Sequence, residues 1–344
     1  MRTLLLHRPD DWHVHFRDGT ALQNTVPTTA NHFARALAMP NVKPALTTLA
    51  SVNAYHERLL NATPPNANFT PYMTFYLNEV VQPDELMQLH HHPHILGAKY
   101  YPQGATTHSE EGARSLAALY PLLEVMQDCD LVLQIHGEVT HGDIFEREGL
   151  FIKDVLLPLT RHFPKLRMVL EHISTRAAVE FVTTASPLIT ATITPHHLLY
   201  NRNDLLAGGL KPHYYCLPVL KHADDQRAVQ KAAVSGNPKF FAGTDSAPHA
   251  IAHKENACCS AGIYSAPFAL LLYAKIFDEL NKLPQLDPFM SQFGAHFYHL
   301  PQTESLIELV ERPQTIPPHL PFGRERVVPI AASTTLPWSP HEPT

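Results

Sequence analysis

Asp11-Trp12-His13-Val14-His15-Phe16-Arg17-Asp18, near the start of this 344-residue chain, alternates polar with apolar side chains. A strand sends successive side chains to opposite faces. As a strand, this segment puts His13, His15 and Arg17 on one face and turns Val14 and Phe16 to the other, where they pack. Neutral imidazole is a good zinc ligand and guanidinium suits a carboxylate. The spacing predicts a metal site that receives an anion.

Further runs rich in β-formers follow it. Strand candidates lie near 10–16, 35–40, 69–77, 95–101, 131–136, 167–172, 188–194 and 239–244. Between them Glu110–Asp128, Phe145–His162, Thr175–Thr184 and Ala223–Ser235 carry apolar residues at helical spacing. Alternating strand and helix implies a parallel sheet. Eight strands over about 250 residues is the pattern of an α/β fold, the (β/α)8 TIM barrel. Without a composition break, internal repeat or flexible linker, residues 1–344 read as a single barrel domain. After the eighth strand come a loop, Ser246–Ala261, and C-terminal helices over Ser265–Leu280 and Pro288–Phe297. The proline-rich tail from about 300 reads as an irregular strap packed on the barrel.

In such a barrel the active site lies at the C-terminal ends of the strands. His13 and His15 close strand one, Asn41 follows strand two and Lys99 sits in strand four. His136 ends strand five, His172 strand six and Asp245 strand eight. A lone histidine at a strand end is more often a hydrogen-bonded core residue than a ligand. Several ligand-type residues meeting at one barrel mouth leave that bland reading little room.

Composition excludes other classes. A formal charge of −6 leaves no basic footprint for nucleic acid. Apolar runs such as Phe268–Leu272 are too short to span a bilayer, so no membrane role is expected. No h-region of signal-peptide length opens the chain. Cys129, Cys216, Cys258 and Cys259 contain no C-x-x-C pair and read as reduced thiols, so a cytoplasmic location is expected. Of the 24 histidines, His90, His91, His92 and His94 form a tract expected to be a solvated loop. His196-His197 stays open between loop packing and the rim of the site.

The order H-x-H, Lys, His, His, Asp resembles that of the metal-dependent amidohydrolases, and more closely that of the class II dihydroorotases. Asp11–Gly19, Met39–Asn41, Gly97–Thr107, Leu133–Glu138, Glu171–Ser174, Cys216–Lys221 and Ala242–His249 carry the resemblance. It implies a hydrolase of a cyclic amide that interconverts N-carbamoyl-L-aspartate and L-dihydroorotate in pyrimidine biosynthesis. It also implies two zinc ions per chain. His13 and His15 would bind the more buried ion and His136 and His172 the other. Lys99 would bridge them as N6-carboxylysine, and Asp245 would be both ligand and catalytic acid–base. Arg17, Asn41 and His249 would hold the substrate carboxylate. Leu217 and Ala261 would meet the ring through backbone groups, Thr106 and Thr107 would ride on a closing loop, and the chain would be a homodimer.

The chemistry of lysine agrees with that role: an ammonium has no lone pair, whereas a buried, neutral amine can react with carbon dioxide. Two alternatives remain. A hydantoinase- or allantoinase-like cyclic amidase would share the metal site without the carboxylate clamp. An inactive barrel kept as an assembly partner would be marked by lost ligands, and none is missing here.

Overall fold

The computed structural model describes residues 2–341. Among them, eight parallel strands pair in sequence order. They are β1 Asp10–Val14, β2 Arg35–Ala38, β3 Thr70–Leu77 and β4 Ile95–Tyr100. They continue with β5 Val132–Ile135, β6 Met168–Leu170, β7 Ile189–Ile193 and β8 Phe240–Ala242. Hydrogen bonds close the ring: the Asp245 N–H donates to the His13 carbonyl at 2.8 Å and the His15 N–H to the Ser246 carbonyl at 2.9 Å. The expected (β/α)8 barrel is the fold.

Each strand is shorter than its alternating pattern. The residues that follow leave the ladder to enter the site, and Arg17, His172 and Asp245 do so with φ of 64°, 41° and 43°. Arg17 therefore reaches the site from a turn beyond β1 rather than from a shared strand face. β1 also departs from simple alternation. Between Asp11 and Val14 it advances three residues while β2 advances two, from Ala36 to Ala38. One extra residue of this kind is a bulge, which re-aims the side chains around it. Val14 and Phe16 still pack in the main core, as their pattern required. Trp12 instead joins Leu37, Met39, Val132, Val169 and Phe241 in a second cluster.

That second cluster is capped by the chain around 288–298, where a π-turn over Pro288–Gln292 runs into a helix over Phe293–Phe297. Tyr298 stacks on Trp12 with ring centroids 4.7 Å apart. The approach needs a glycine, because a Cβ on Gly294 would lie 2.0 Å from the Trp12 indole nitrogen. The cap sits at the N-terminal ends of the strands. Arg167, just before β6, donates to the Phe297 carbonyl, and Arg35, opening β2, donates to the Pro301 carbonyl and to Asp10.

The helices mostly follow their periodicity, with two differences. In the 110–128 segment, 3-10 helix begins only at Leu116 and α-helix at Tyr120. Pro121 has no N–H, so it suits the first turn of that helix and no position deeper. Helices also cover Leu22–Ala30 and Leu49–Ala62, whose polar composition hid them. The tail is a strap with strands in it. Leu306–Val310 pairs antiparallel with Thr3–His7 and with Ser339–Pro340, and Trp338 is buried. Unpaired edge strands invite foreign pairing, and the strap covers one such edge. Among the described residues no helix is long and apolar enough to cross a membrane.

Candidate active site

The seam that closes the barrel also assembles the first half of the site. The backbone bonds between β1 and the chain after β8 bring His13, His15 and Asp245 together, their ligand-type atoms within 4.8 Å of one another. The Asp245 carboxylate lies 3.1 Å from His15 Nε2 and 3.4 Å from His13 Nε2. Asp11 clasps the same seam. Its buried carboxylate accepts from the Thr244 N–H at 2.8 Å and the Thr244 hydroxyl at 2.6 Å. Positive φ at a non-glycine residue costs of order 1–3 kcal/mol and persists where surrounding structure enforces it. Asp245, anchored on both sides, is such a position.

The second half comes from β4, β5 and β6. His136 Nδ1 faces His172 Nε2 at 3.2 Å. Lys99 is fully buried, with its nitrogen 4.9 Å from the centre of the Tyr101 ring. Carboxylates behind the imidazoles set their orientation. The His13 Nδ1–H donates to Glu171 at 2.8 Å, so Nε2 is the nitrogen turned to the site. The His136 Nε2–H donates to Glu138 at 3.2 Å, leaving the Nδ1 lone pair turned towards His172 and the site. Glu171 is held by the Thr192 hydroxyl, which also accepts from the His172 N–H. The His15 Nδ1–H donates to the Asn41 side-chain oxygen at 2.8 Å. A partner on the far ring nitrogen is the usual support of a metal-bound imidazole.

These groups fit a metal. His13 Nε2 and Lys99 Nζ are buried with no hydrogen-bond partner among the described residues. An unpaired buried polar group is costly, and coordination would relieve it. Burial lowers His15 to about 4, and it also drives His136 and His172 down, keeping their lone pairs available. Burial lowers the Lys99 ammonium to about 8. Among the described residues no ion pair holds it, so Lys99 is not an ordinary paired core lysine. Burial opposes ionisation of Asp245, but the His15 hydrogen bond and nearby imidazoles hold its carboxyl well below the usual range.

A small pocket opens over this cluster. Its wall includes His13, His15, His136, His172 and Asp245, and around them Arg17, Asn41, Thr106, Thr107, Leu217 and Ala261. Two expected residues stand behind the wall. Lys99 lies beneath it, and His249 lies beside Arg17, its Nε2 2.9 Å from the guanidinium and 3.0 Å from the Ala261 carbonyl. Burial and the nearby Arg17 charge keep that imidazole neutral. The Arg17 Nε–H is anchored on the Pro248 carbonyl at 2.9 Å. The loop after β4 lies across the pocket. The Thr107 hydroxyl donates to the Ala261 carbonyl, and the Asn41 amide donates to the Thr107 carbonyl.

The other histidines sort themselves. His90 and His91 are exposed in a turn. His196 and His197 are buried and off the pocket wall. His197 is tied to Thr194 and the Pro218 carbonyl, whereas both ring nitrogens of His196 lack a hydrogen-bond partner among the described residues and the pair lies close to Cys216. All four cysteines are free. Sequence reading missed Glu171, Glu138, Asp11 and Thr244. A carboxylate beside each histidine motif was visible, but Glu171 adjoins His172 and serves His13.

The model of the amidohydrolase family matches residues 11–308. A dihydroorotase of Coxiella burnetii is 52% identical over 340 residues, covering 98% of each chain. The solved dihydroorotase of Saccharomyces cerevisiae in complex with 5-fluoroorotic acid superposes with a TM-score of 0.92 at 34% identity, covering all of both chains. An L-hydantoinase from Arthrobacter aurescens shares the fold, with a TM-score of 0.78 at 16% identity over 98% of this chain and 83% of that one.

Proposed function

The chain belongs to the amidohydrolase family, and from that premise we propose that it is a metal-dependent dihydroorotase. It hydrolyses the ring amide of L-dihydroorotate and closes N-carbamoyl-L-aspartate in the reverse direction, within pyrimidine biosynthesis. One observation carries the reading: four histidines and Asp245 line the same pocket as Arg17. It therefore offers metal ligands and an anion-binding cation side by side.

His13, His15 and Asp245 would hold one zinc ion, and His136 and His172 a second. Lys99 would bridge them as N6-carboxylysine. Its neutral amine adds to carbon dioxide, forming an N–C bond and losing a proton, and the product is an anion with two oxygen donors. The lack of any hydrogen-bond partner for the Lys99 nitrogen among the described residues supports this. Two such ions, when bound, lower the pKa of water and polarise a carbonyl. Asp245 takes the proton of the attacking water and hands it to the ring nitrogen as the amide bond breaks; ring closure runs the same transfers backwards. Microscopic reversibility gives one carboxylate both the base and the acid role.

Arg17, with Asn41 and His249, holds the substrate carboxylate and fixes the ring's orientation. Leu217 and Ala261 meet the ring through backbone groups. The Thr106–Thr107 loop closes over it and excludes water. The Asn41 amide must then exchange the Thr107 carbonyl for the substrate. We further read residues 1–344 as one amidohydrolase domain, acting in the cytoplasm as a homodimer.

A hydantoinase-like activity is the competing reading. A neutral hydantoin would leave the half-buried Arg17 charge unpaired, and a site built around such a group rejects ligands that cannot pair with it. Turnover of L-dihydroorotate and of an uncharged hydantoin, with zinc content on the same preparation, tests the assignment. Turnover of dihydroorotate with about two zinc ions per chain is expected from the ligand count. Preference for the neutral ring would overturn it.

A further inference from the structure

Lys254 belongs to neither the ligand set nor the pocket wall, yet it is only 3% exposed. Its ammonium donates to the carbonyls of Tyr215 at 2.8 Å, Ser260 at 2.7 Å and Gly262 at 2.9 Å. An ammonium has three donors, and all three go to backbone oxygens. Among the described residues no carboxylate pairs with it. Burying a cation without a counter-ion is expensive, so the three carbonyl dipoles must be held where they are. Burial lowers the group to about 8, so it remains charged at neutral pH.

The acceptors belong to two segments far apart in sequence. One carries Tyr215, Cys216 and Leu217; the other carries Ser260, Ala261 and Gly262. Leu217, Ala261 and Gly262 all line the pocket. The Gly262 N–H also donates to the Tyr215 carbonyl at 3.0 Å, so this oxygen joins both segments and the lysine. The wall has no slack behind it. Gly262 has φ of 147°, and a Cβ there would meet the Ala247 carbonyl oxygen at 2.4 Å.

We propose that Lys254 is a positioning residue for substrate recognition, its ammonium clipping the Leu217 and Ala261 segments into one wall against which the substrate ring lies. The proposal rests on the reading of this pocket as the dihydroorotate site. The wall contains neither Asp245 nor the four imidazoles proposed as metal ligands, and of the site's other side chains His249 and Thr107 meet it at the Ala261 carbonyl. Its contacts act alike on bound substrate and on the transition state, and loss of such uniform binding appears in KM rather than kcat.

The test compares zinc-loaded wild type, Lys254→Met and Lys254→Arg by steady-state kinetics, zinc analysis and hydrogen exchange. Wild-type turnover of dihydroorotate checks the functional reading by itself. Hydrogen exchange over 212–218 and 258–263 checks the clip without substrate. The expected result for Lys254→Met is a KM raised about tenfold, with kcat within about threefold. Zinc stays unchanged, exchange is faster in both segments, and Lys254→Arg recovers part of the KM. A merely structural role would lower thermal stability and leave KM alone. Wild-type KM, or wild-type exchange in both segments, would overturn the proposal. If Lys254→Met does not fold, Gly262→Ala shifts the same wall with the ammonium in place and must raise KM in the same way. A Gly262→Ala enzyme with wild-type KM would equally overturn it.

Discussion

Trp12 and His13 are neighbours in β1 and serve opposite ends of the barrel. Trp12 stacks on Tyr298 among Leu37, Val169, Phe241 and Phe297, an apolar cap sealed by arginines on backbone carbonyls. His13 faces a pocket beside Lys99 and residues held at positive φ, and among the described residues neither His13 Nε2 nor the Lys99 nitrogen has a hydrogen-bond partner. One end is closed and apolar, although the Trp12 indole N–H finds no hydrogen-bond partner among the described residues; the other gathers unpaired nitrogens around an open pocket. Stability and chemistry are thus divided along the strand axis, and the bulge in β1 lets consecutive residues serve both.

The largest effect should come from the open end. Asp245→Asn removes the group that carries the proton, and general acid–base help alone is worth about 10²–10⁴-fold in turnover. Its unfolding midpoint should stay near that of the wild type. An active Asp245→Asn enzyme would dissolve the division. The closed end should give the mirror result. Trp12→Ala empties a packed ring and should cost about 3–5 kcal/mol by urea unfolding. Below its transition the variant should keep its zinc and its kcat, and early loss of zinc would show that the two ends are coupled.

Arg17→Met should lower kcat/KM by roughly ten- to a hundredfold, the value of a charge-assisted pair of about 1.5–3 kcal/mol. Stability should change little. Equal handling of dihydroorotate by this variant would put the anion elsewhere. Glu171→Gln sharpens the picture further, since it disturbs the support of His13 and the Thr192 hydroxyl that shares the same carboxylate. Loss of such a partner typically weakens metal binding about 10–100-fold. Chelator competition measures this, and unchanged zinc affinity would make Glu171 a packing residue.

The smallest effect concerns pH. Burial raises Glu148 to about 7, despite bonds from Ser174 and Thr175. The folded state therefore holds a proton that the unfolded state releases near the ordinary glutamate value. Stability from this group is full at low pH and is lost as pH rises towards about 7. Asp10 and Asp11 have the same sign and remain in the variant. Glu148→Gln should flatten, but not abolish, the fall in unfolding free energy between about pH 5 and 7.5. An unchanged slope would mean that the carboxyl is charged in the folded state.

Strand-end residues of ligand type were legible because a barrel strand delivers its last residues to one rim. His13, Lys99, His136, His172 and Asp245 needed only strand positions to be placed. The helices at 22–30 and 49–62 were not legible, because their many threonines, asparagines and alanines give weak periodicity. The start of the helix near Leu116 was misjudged because apolar spacing alone does not register where Pro121 is allowed.

The sequence by itself determined the barrel, its order of strands and the ligand types at its mouth, because alternation and helical spacing are local properties. Tertiary structure alone decided how those ligands are aimed. Glu171 supports His13 from 158 residues away. Asp11 clasps Thr244 across 233, and Lys254 joins two pocket segments through their carbonyls. The bulge that sends Trp12 to one end and His13 to the other exists only in the pairing of β1 with β2. Pairings at such distances follow from closure of the ring, and no local pattern encodes them.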